Sequence, residues 1–357
     1  MKKIIWIIVA VVVVGSIIWV SGSKKSTPVS GEPIKIGAFY ALTGPAAKFG
    51  ELSARGARDA ATYFEQKTGQ KTELIIEDTA NDPKQGVSAT QKLFNIDKVK
   101  YAVVSTSGIT AAISSLADQY QSILITDAAG YGLTKDKQYL FQNFLPSLND
   151  VAKRINSSEK SKKVAIVYIN DEFGNIWNQK TLEALMDKEH KSFPFQKDTK
   201  DFKTDASKIK SFKPDVIFVL GYGPALNQVY ADLATQKVES DIISYLSCTL
   251  PGVLSDVRYS LNGRISYEYP VIKDKDISKW ITAHNGQFNT FYLLAFENTL
   301  IALNTAKDSR GDTAVALNYL KTKKLPMLYG DISFNENNVV ERDLEANIIE
   351  DGKCKPI

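Results

Sequence analysis

The feature that constrains this chain most is a repeated exchange: a short apolar run, a Gly- or Pro-marked turn, then a stretch with helical spacing. Ile34–Gly50 reads IKIGAFYALTGPAAKFG. Ile34, Ile36, Ala38 and Phe39 have the continuous apolar character of a buried parallel strand. Thr43-Gly44-Pro45 turn the chain, and a helix rich in small residues (Ser53, Ala54, Gly56, Ala57, Ala60, Ala61) follows over Glu51–Gln66. Such a junction leaves backbone N–H groups free at a helix start, on the crevice edge where open α/β sheets bind ligands. The alternation continues. Strand Thr72–Glu77 precedes a helix opened by Asp82 as N-cap and Pro83 at its first position, which runs to about Asn95 and buries Val87, Leu93 and Phe94. Strand Tyr101–Ser105, helix Thr110–Tyr120 and strand Ile123–Thr126 complete a first set. A second begins after Leu145-Pro146-Ser147, with strands Val164–Tyr168, Ser192–Phe195, Val216–Leu220 and Ile242–Leu246 and helices Ile176–Lys188, Asp205–Ser211 and Ala225–Thr235. This order predicts two doubly wound parallel sheets, each a Rossmann-like lobe. A strand near Gly263–Tyr269, helices Phe288–Thr305 and Asp312–Lys321, and short strands at Ile332–Phe334 and Glu345–Ile349 remain to be shared between them. Several crossings between lobes would make a hinge. The expected division is 34–145 with 271–328 as the first lobe, and 146–270 with 329–357 as the second.

Before these lobes stands Ile4–Val20, apolar except for Gly15 and Ser16, flanked by Lys2, Lys3, Lys24 and Lys25. As a helix it spans roughly 25 Å, short but adequate for a bilayer and long for the core of a secretory signal. No A-x-A site and no cysteine to acylate stands directly behind it. The run reads as an uncleaved N-terminal hydrophobic helix over 1–21 in preference to a cleaved signal; either exports the rest of the chain. Residues 22–33 read as a flexible tether. The remaining ~325 residues exceed one comfortable core, consistent with two lobes. The net charge is +4 with Lys evenly spread, which argues against a nucleic-acid partner. Cys248 and Cys354 could pair in an exported chain, although their spacing does not require it. His190 and His284 stand alone, which disfavours zinc and His-based catalysis.

Taken with their order, TANDPKQGVSATQKLF, KYAVVSTSGITAAISSLADQYQSILITDAAG, VAIVYINDEFGN, PDVIFVLGYGPALNQ and GDISFNENNVVERDLEANIIEDGK resemble the type I periplasmic binding proteins, specifically the leucine/isoleucine/valine-binding family of ABC importers. The resemblance covers about Ile34 to Lys353 and implies a two-lobe α/β fold whose cleft closes on a small ligand. It implies that Ser107 and the helix start from Ser107 to Thr110 hold a ligand carboxylate. A helix N-terminus carries partial positive charge and unpaired donors, although Ser107 could equally be a plain cap. Ala128 offers a backbone acceptor. Gly130 replaces a family threonine, so that side-chain contact is lost. Asp127 is either a turn residue or the partner of a cation. Phe49, Phe173 and Tyr222 match family aromatics that cover the ligand. The family often places an acid for the ligand ammonium after the strand Ile242–Leu246; here Leu246-Ser247-Cys248-Thr249 supplies none.

The resemblance therefore implies a monomeric extracytoplasmic receptor that delivers an amino-acid-like molecule to ABC permease subunits, with no cofactor, metal or chemistry of its own. A ligand-sensing ectodomain or envelope regulator is the alternative, disfavoured because Met1–Lys3 alone would face the cytoplasm. An exported enzyme is the weakest reading, since no nucleophile–base pair stands out and Gly-Tyr-Gly-Pro at 221–224 is not a dinucleotide loop.

Overall fold

In the computed structural model, which describes residues 31–159, 161–185, 188–250, 252–254, 261–284 and 289–357, the apolar runs form strands and the stretches between them helices. The first lobe alternates β1 (Ile34–Tyr40), α1 (Ala47–Thr68), β2 (Thr72–Asp78), α2 (Pro83–Thr90), β3 (Tyr101–Val104), α3 (Ser107–Tyr120) and β4 (Ile123–Thr126), and adds β5 (Leu140–Pro146). These strands are all parallel, in the order β2-β1-β3-β4-β5. Asp82 caps α2 as its sequence demands, accepting from Lys84 N at 2.7 Å and Gln85 N at 3.2 Å. The helix then widens into a π-helical turn over Gln91–Ile96, which seats Leu93 and Phe94 in the core; Val87 is only half-buried.

The second lobe repeats the plan. It comprises α4 (Asn149–Ser157), β6 (Lys163–Ile169), α5 (Glu172–Ala184), β7 (Glu189–Phe195), α6 (Lys203–Phe212), β8 (Val216–Leu220), α7 (Pro224–Thr235), β9 (Asp241–Tyr245) and β10 (Ile265–Glu268). The parallel order β7-β6-β8-β9-β10 matches that of the first lobe. In each sheet the strand order reverses next to the first strand, between β1 and β3 and between β6 and β8. That switch point opens a crevice at the carboxyl ends of the strands.

The remaining elements divide unevenly. The helices α8 (Lys275–His284), α9 (Thr290–Asp308) and α10 (Thr313–Thr322), and a hairpin of β11 (Leu325–Met327) and β12 (Gly330–Ile332), pack into the first core. The helix α9 is buried on nearly every side, and α1 lies against it so closely that a Cβ on Gly56 would stand 2.1 Å from the Tyr292 carbonyl oxygen. The small residues of α1 thus serve helix packing. β13 (Val339–Arg342) pairs in parallel with β5 and completes the first sheet. This corrects the expectation that all of 329–357 belongs to the second lobe. Four residues with two charges carry no pattern that identifies their partner, and the open edge of β5 recruits them. Only β14 (Glu345–Glu350) and β15 (Lys353–Pro356) extend the second sheet, both antiparallel. The chain therefore crosses between lobes three times, after β5, after β10 and after β13. Cys248 and Cys354 are disulfide-bonded with Cα atoms 6.0 Å apart, fixing β15 to the loop that leaves β9.

The apolar run expected to form an N-terminal helix, and the tether up to Ser30, lie outside the described residues. Among those described, no helix is long and apolar enough to cross a membrane.

Candidate ligand-binding cleft

The two switch points face each other across a cavity of about 340 Å³. From the first lobe come Asn81 and Pro83 beyond β2, Ser105–Gly108 between β3 and α3, and Asp127–Ala129 beyond β4; from the second come Asp171–Phe173 after β6, Lys197 beyond β7, Gly221 and Tyr222 beyond β8, Tyr245 at the end of β9, and Leu246 and Leu250 beyond it. Tyr269 at the crossing after β10, together with Thr290, Phe291 and Leu294 of α9, closes the rest of the wall.

Of the residues singled out by sequence, Ser107, Asp127, Ala128, Phe173 and Tyr222 line this cavity. Phe49 and Thr110 do not. Phe49 borders a satellite cavity of about 60 Å³ shared with Asn81, Ser105, Thr106 and Tyr222, and its ring packs against Tyr222 (5.9 Å between centroids) and Phe291 (4.8 Å). It is a strut between lobes rather than part of the main wall. Thr110 sits one helical turn too deep. Its hydroxyl donates to the Thr106 carbonyl at 2.8 Å and pairs with Thr126 Oγ1 at 2.9 Å, so it ties α3 to β4. The Thr43-Gly44-Pro45 turn is likewise clear of the main cavity. Asp78 holds it, accepting from Leu42 N at 2.8 Å and Thr43 Oγ1 at 2.6 Å. The helix start that faces the cavity is that of α3.

Entry into α3 is strained. Thr106 has φ +73° and ψ 136°, a conformation that costs a β-branched residue of order 1–3 kcal/mol and that recurs at ligand clamps. Its hydroxyl is held by Asn81 Oδ1 at 3.1 Å. Ser107 is buried directly below Gly130, where an added Cβ would stand 3.0 Å from Ser107 Oγ. A side chain at 130 would therefore crowd the serine unless one of the two shifted. Ala128 is largely committed to its own loop. Its amide donates to Thr126 Oγ1 at 3.0 Å and its carbonyl accepts from Gln142 Nε2 at 2.6 Å.

The second-lobe wall contains an acid and a base that the sequence pattern did not single out. Asp171 caps α5 through Gly174 N at 3.0 Å, accepts a hydrogen bond from the Tyr222 hydroxyl, and lies 3.8 Å from Lys197 Nζ. Burial, and then the Asp171 charge, push the Tyr222 phenol well above its ordinary pKa, so it stays a donor. The local signal for Asp171 is an acid three residues before Gly174 at a helix start; Lys197 carries none. A second acid, Glu268 on β10, accepts from Cys248 N at 2.9 Å and Thr249 Oγ1 at 3.0 Å. It sits behind the wall and holds the loop that brings Leu246 and Leu250 to the cavity, with burial pushing its carboxyl to about 7.

The lobes touch across the cleft. Besides Phe49 and Tyr222, Trp177 Nε1 of α5 donates to the Ala129 carbonyl at 2.6 Å, and Asn289 Nδ2 donates to the Thr249 carbonyl at 3.1 Å. Where the chain crosses, Arg342 lies over the rings of Phe144 (4.7 Å) and Tyr329 (5.2 Å) and pairs with buried Glu297 at 3.4 Å. Phe144 adopts φ +66° within β5, so backbone strain marks the hinge as well as the cleft.

Two parallel sheets in this order, opposed across a cleft and joined by three crossings, define a two-lobe periplasmic binding fold. The family model described as periplasmic binding protein matches residues 33–346, and the chain belongs to that family. Among relatives, the Leu/Ile/Val-binding protein of Escherichia coli is 24% identical over 326 residues, covering 85% of this chain and 87% of that one. The leucine binding protein LivK of Thermotoga maritima has the same fold, with a TM-score of 0.82 at 16% identity over 91% of this chain and 97% of that one. So does a solute binding protein of an ABC transporter from Rhodopseudomonas palustris, solved in complex with 3,4-dihydroxy benzoic acid, with a TM-score of 0.76 at 19% identity over 92% of this chain and 96% of that one.

Proposed function

We propose that this chain is the extracytoplasmic solute-binding receptor of an ABC importer, and that it holds a small amino-acid-like carboxylate between its lobes. The observation that carries the reading is the cavity itself, which lies where the carboxyl-terminal edges of both sheets meet and takes residues from each. The start of α3 at Ser107 supplies donors for a carboxylate, while Phe173, Tyr222, Tyr245 and Phe291 supply an apolar enclosure. Relatives named for leucine, isoleucine and valine, and a structural neighbour holding an aromatic acid, fit a ligand of this size and chemistry. Ligand binding would favour the closed arrangement, in which Tyr222 meets Phe49, over an open one, and the closed form would dock on the permease. The apolar run 4–20 would tether the receptor beside its transporter. The reading assigns no chemistry to the site.

The test is a thermal-shift screen of the full-length protein against leucine, isoleucine, valine and 3,4-dihydroxybenzoate. A ligand at 100 times its Kd adds about 2.7 kcal/mol of stability. Ser107→Ala and Tyr222→Ala should each weaken the bound ligand about tenfold or more while the variants stay folded. Absence of any shift across the panel, or full affinity in both variants, refutes the reading.

A further inference from the structure

Asp127 is the buried charge of the cleft that no cation among the described residues answers. It lines the cavity with 7% exposure, and its carboxylate accepts from Ser105 Oγ at 3.2 Å. None of the ion pairs among the described residues involves it, and Lys197, the cation in the same cavity wall, lies against Asp171 instead. The Asp127 charge is felt by four buried phenols: Tyr40 from β1, and behind stronger influences Tyr245 from β9, Tyr269 from the crossing after β10, and Tyr329 from the turn between β11 and β12. Tyr245 and Tyr269 line the cavity and pair with each other at 3.0 Å, while the buried hydroxyl of Tyr329 has no hydrogen-bond partner among the described residues. The remaining charges nearby are already engaged. Lys197 faces Asp171 on the opposite lobe, Arg342 pairs with Glu297, and Glu268 is held by Ser266, Cys248 and Thr249. The lining residues thus include three carboxylates, Asp127, Asp171 and Glu172, against Lys197.

A buried carboxylate without a cation is costly, and the rings of Tyr245 and Tyr269 in the same cavity wall offer the electron-rich faces that attract ammonium groups. A zwitterion fits both features of the first lobe, with its carboxylate at Ser107 and its nitrogen beside Asp127. We propose, resting on the receptor reading above, that Asp127 is the counter-charge for a protonated amine on the ligand, so that the cleft selects amine-bearing molecules over their des-amino counterparts. Ligand binding is then linked to a proton. Burial pushes the Asp127 carboxyl to about 7, so near pH 6 the empty site holds the neutral acid. The incoming ammonium keeps its own protons and replaces the one on Asp127, which leaves to water. No covalent bond to the ligand forms.

The experiment is isothermal titration calorimetry of the full-length protein with two matched pairs: L-leucine against 4-methylpentanoate, and L-phenylalanine against 3-phenylpropanoate. Titrations at pH 6 in buffers of different ionisation heat count the protons released. The expected result is that at least one amino acid binds tenfold or more tighter than its des-amino partner and releases close to one proton at pH 6. Its affinity should fall with acidification below pH 7, approaching tenfold per unit, and D127N should remove most of the preference. A des-amino acid that binds as tightly as its amine, or binding without proton release in the wild-type protein, overturns the assignment while leaving the receptor reading standing. No binding by any of the four also overturns the assignment, and the receptor reading is then decided by the thermal-shift panel. The proton count is made on wild-type protein, so it decides the matter even if D127N does not fold.

Discussion

Removal of the Cys248–Cys354 bond tests how the two lobes share their stability. The bond closes a loop of 106 residues, and in the chain-entropy picture such a constraint on the unfolded state is worth about 4.8 kcal/mol at 25 °C. That loop is not confined to the lobe that carries the cysteines. It runs out through the crossing after β10, along α8, α9 and α10 and through β13 in the first lobe, and back by the crossing before β14. Reduction should therefore destabilise both lobes, although both sulfurs sit in the second. Each kcal/mol moves the midpoint of a domain of 150–250 residues by about 2–4 °C, so a loss near 4.8 kcal/mol predicts a drop of roughly 10–20 °C. Circular dichroism melts of the oxidised protein, the reduced and alkylated protein, and Cys248→Ser/Cys354→Ser would measure it. Because the bond also anchors the loop bearing Leu246 and Leu250, ligand affinity should weaken in the same samples. A drop below about 3 °C in both altered proteins would refute the argument, since the unfolded chain would then gain little freedom from a loop of this length.

Two further perturbations arise from packing and charge. Gly56→Ala places a methyl on the Tyr292 carbonyl where α1 meets α9; overpacking should cost about 1–3 kcal/mol, more than the gain of up to about 1 kcal/mol in helix propensity, and urea denaturation would show a lowered midpoint. Asp127 binds its proton more tightly folded, at about 7, than unfolded near 3.8. The folded state therefore holds more protons between those values, and stability falls as pH rises from about 4 to 7. The full shift corresponds to about 4 kcal/mol, so ligand-free D127N should gain on the wild-type protein by that order between pH 4.5 and pH 8. Denaturation curves whose separation stays constant over that range would contradict it.

Much of this architecture was legible because parallel strands buried on both faces have no choice but to be continuous apolar runs. β3, β4, β6 and β8 show it plainly. β5 did not, because Gln142 and Asn143 interrupt LFQNFLP. Both are fully buried, and their amide nitrogens donate to groups brought together by the fold, Gln142 to the Ala128 and Gly130 carbonyls and Asn143 to Glu297 and Asn298. Polarity there reports a tertiary contact, which no local pattern encodes. β13 and β15 are too short to show a period. At the cleft, the residues just past the strand ends were found through their turn chemistry and the family resemblance, and Ser107, Asp127 and Tyr222 lie together as a result. Phe49 and Thr110 stand one layer back from the main cavity, Phe49 bordering the satellite cavity and Thr110 one helical turn into α3. Lys197 lay beyond reach because it sits past β7 in an exposed segment with no motif around it, although it lines the cavity beside Asp171.

The pairing of β13 with β5 bears on the order in which the molecule comes into being. A ribosome or a translocation channel delivers the chain from its N-terminus, and β5 emerges with one edge unpaired. The strand that covers it arrives only after the whole parallel part of the second sheet has been delivered. Throughout that interval the first lobe presents an open strand edge, the kind that recruits stray chains. It cannot close until Arg342 is out, so a chain truncated anywhere between β5 and β13 would leave an aggregation-prone fragment rather than a lobe.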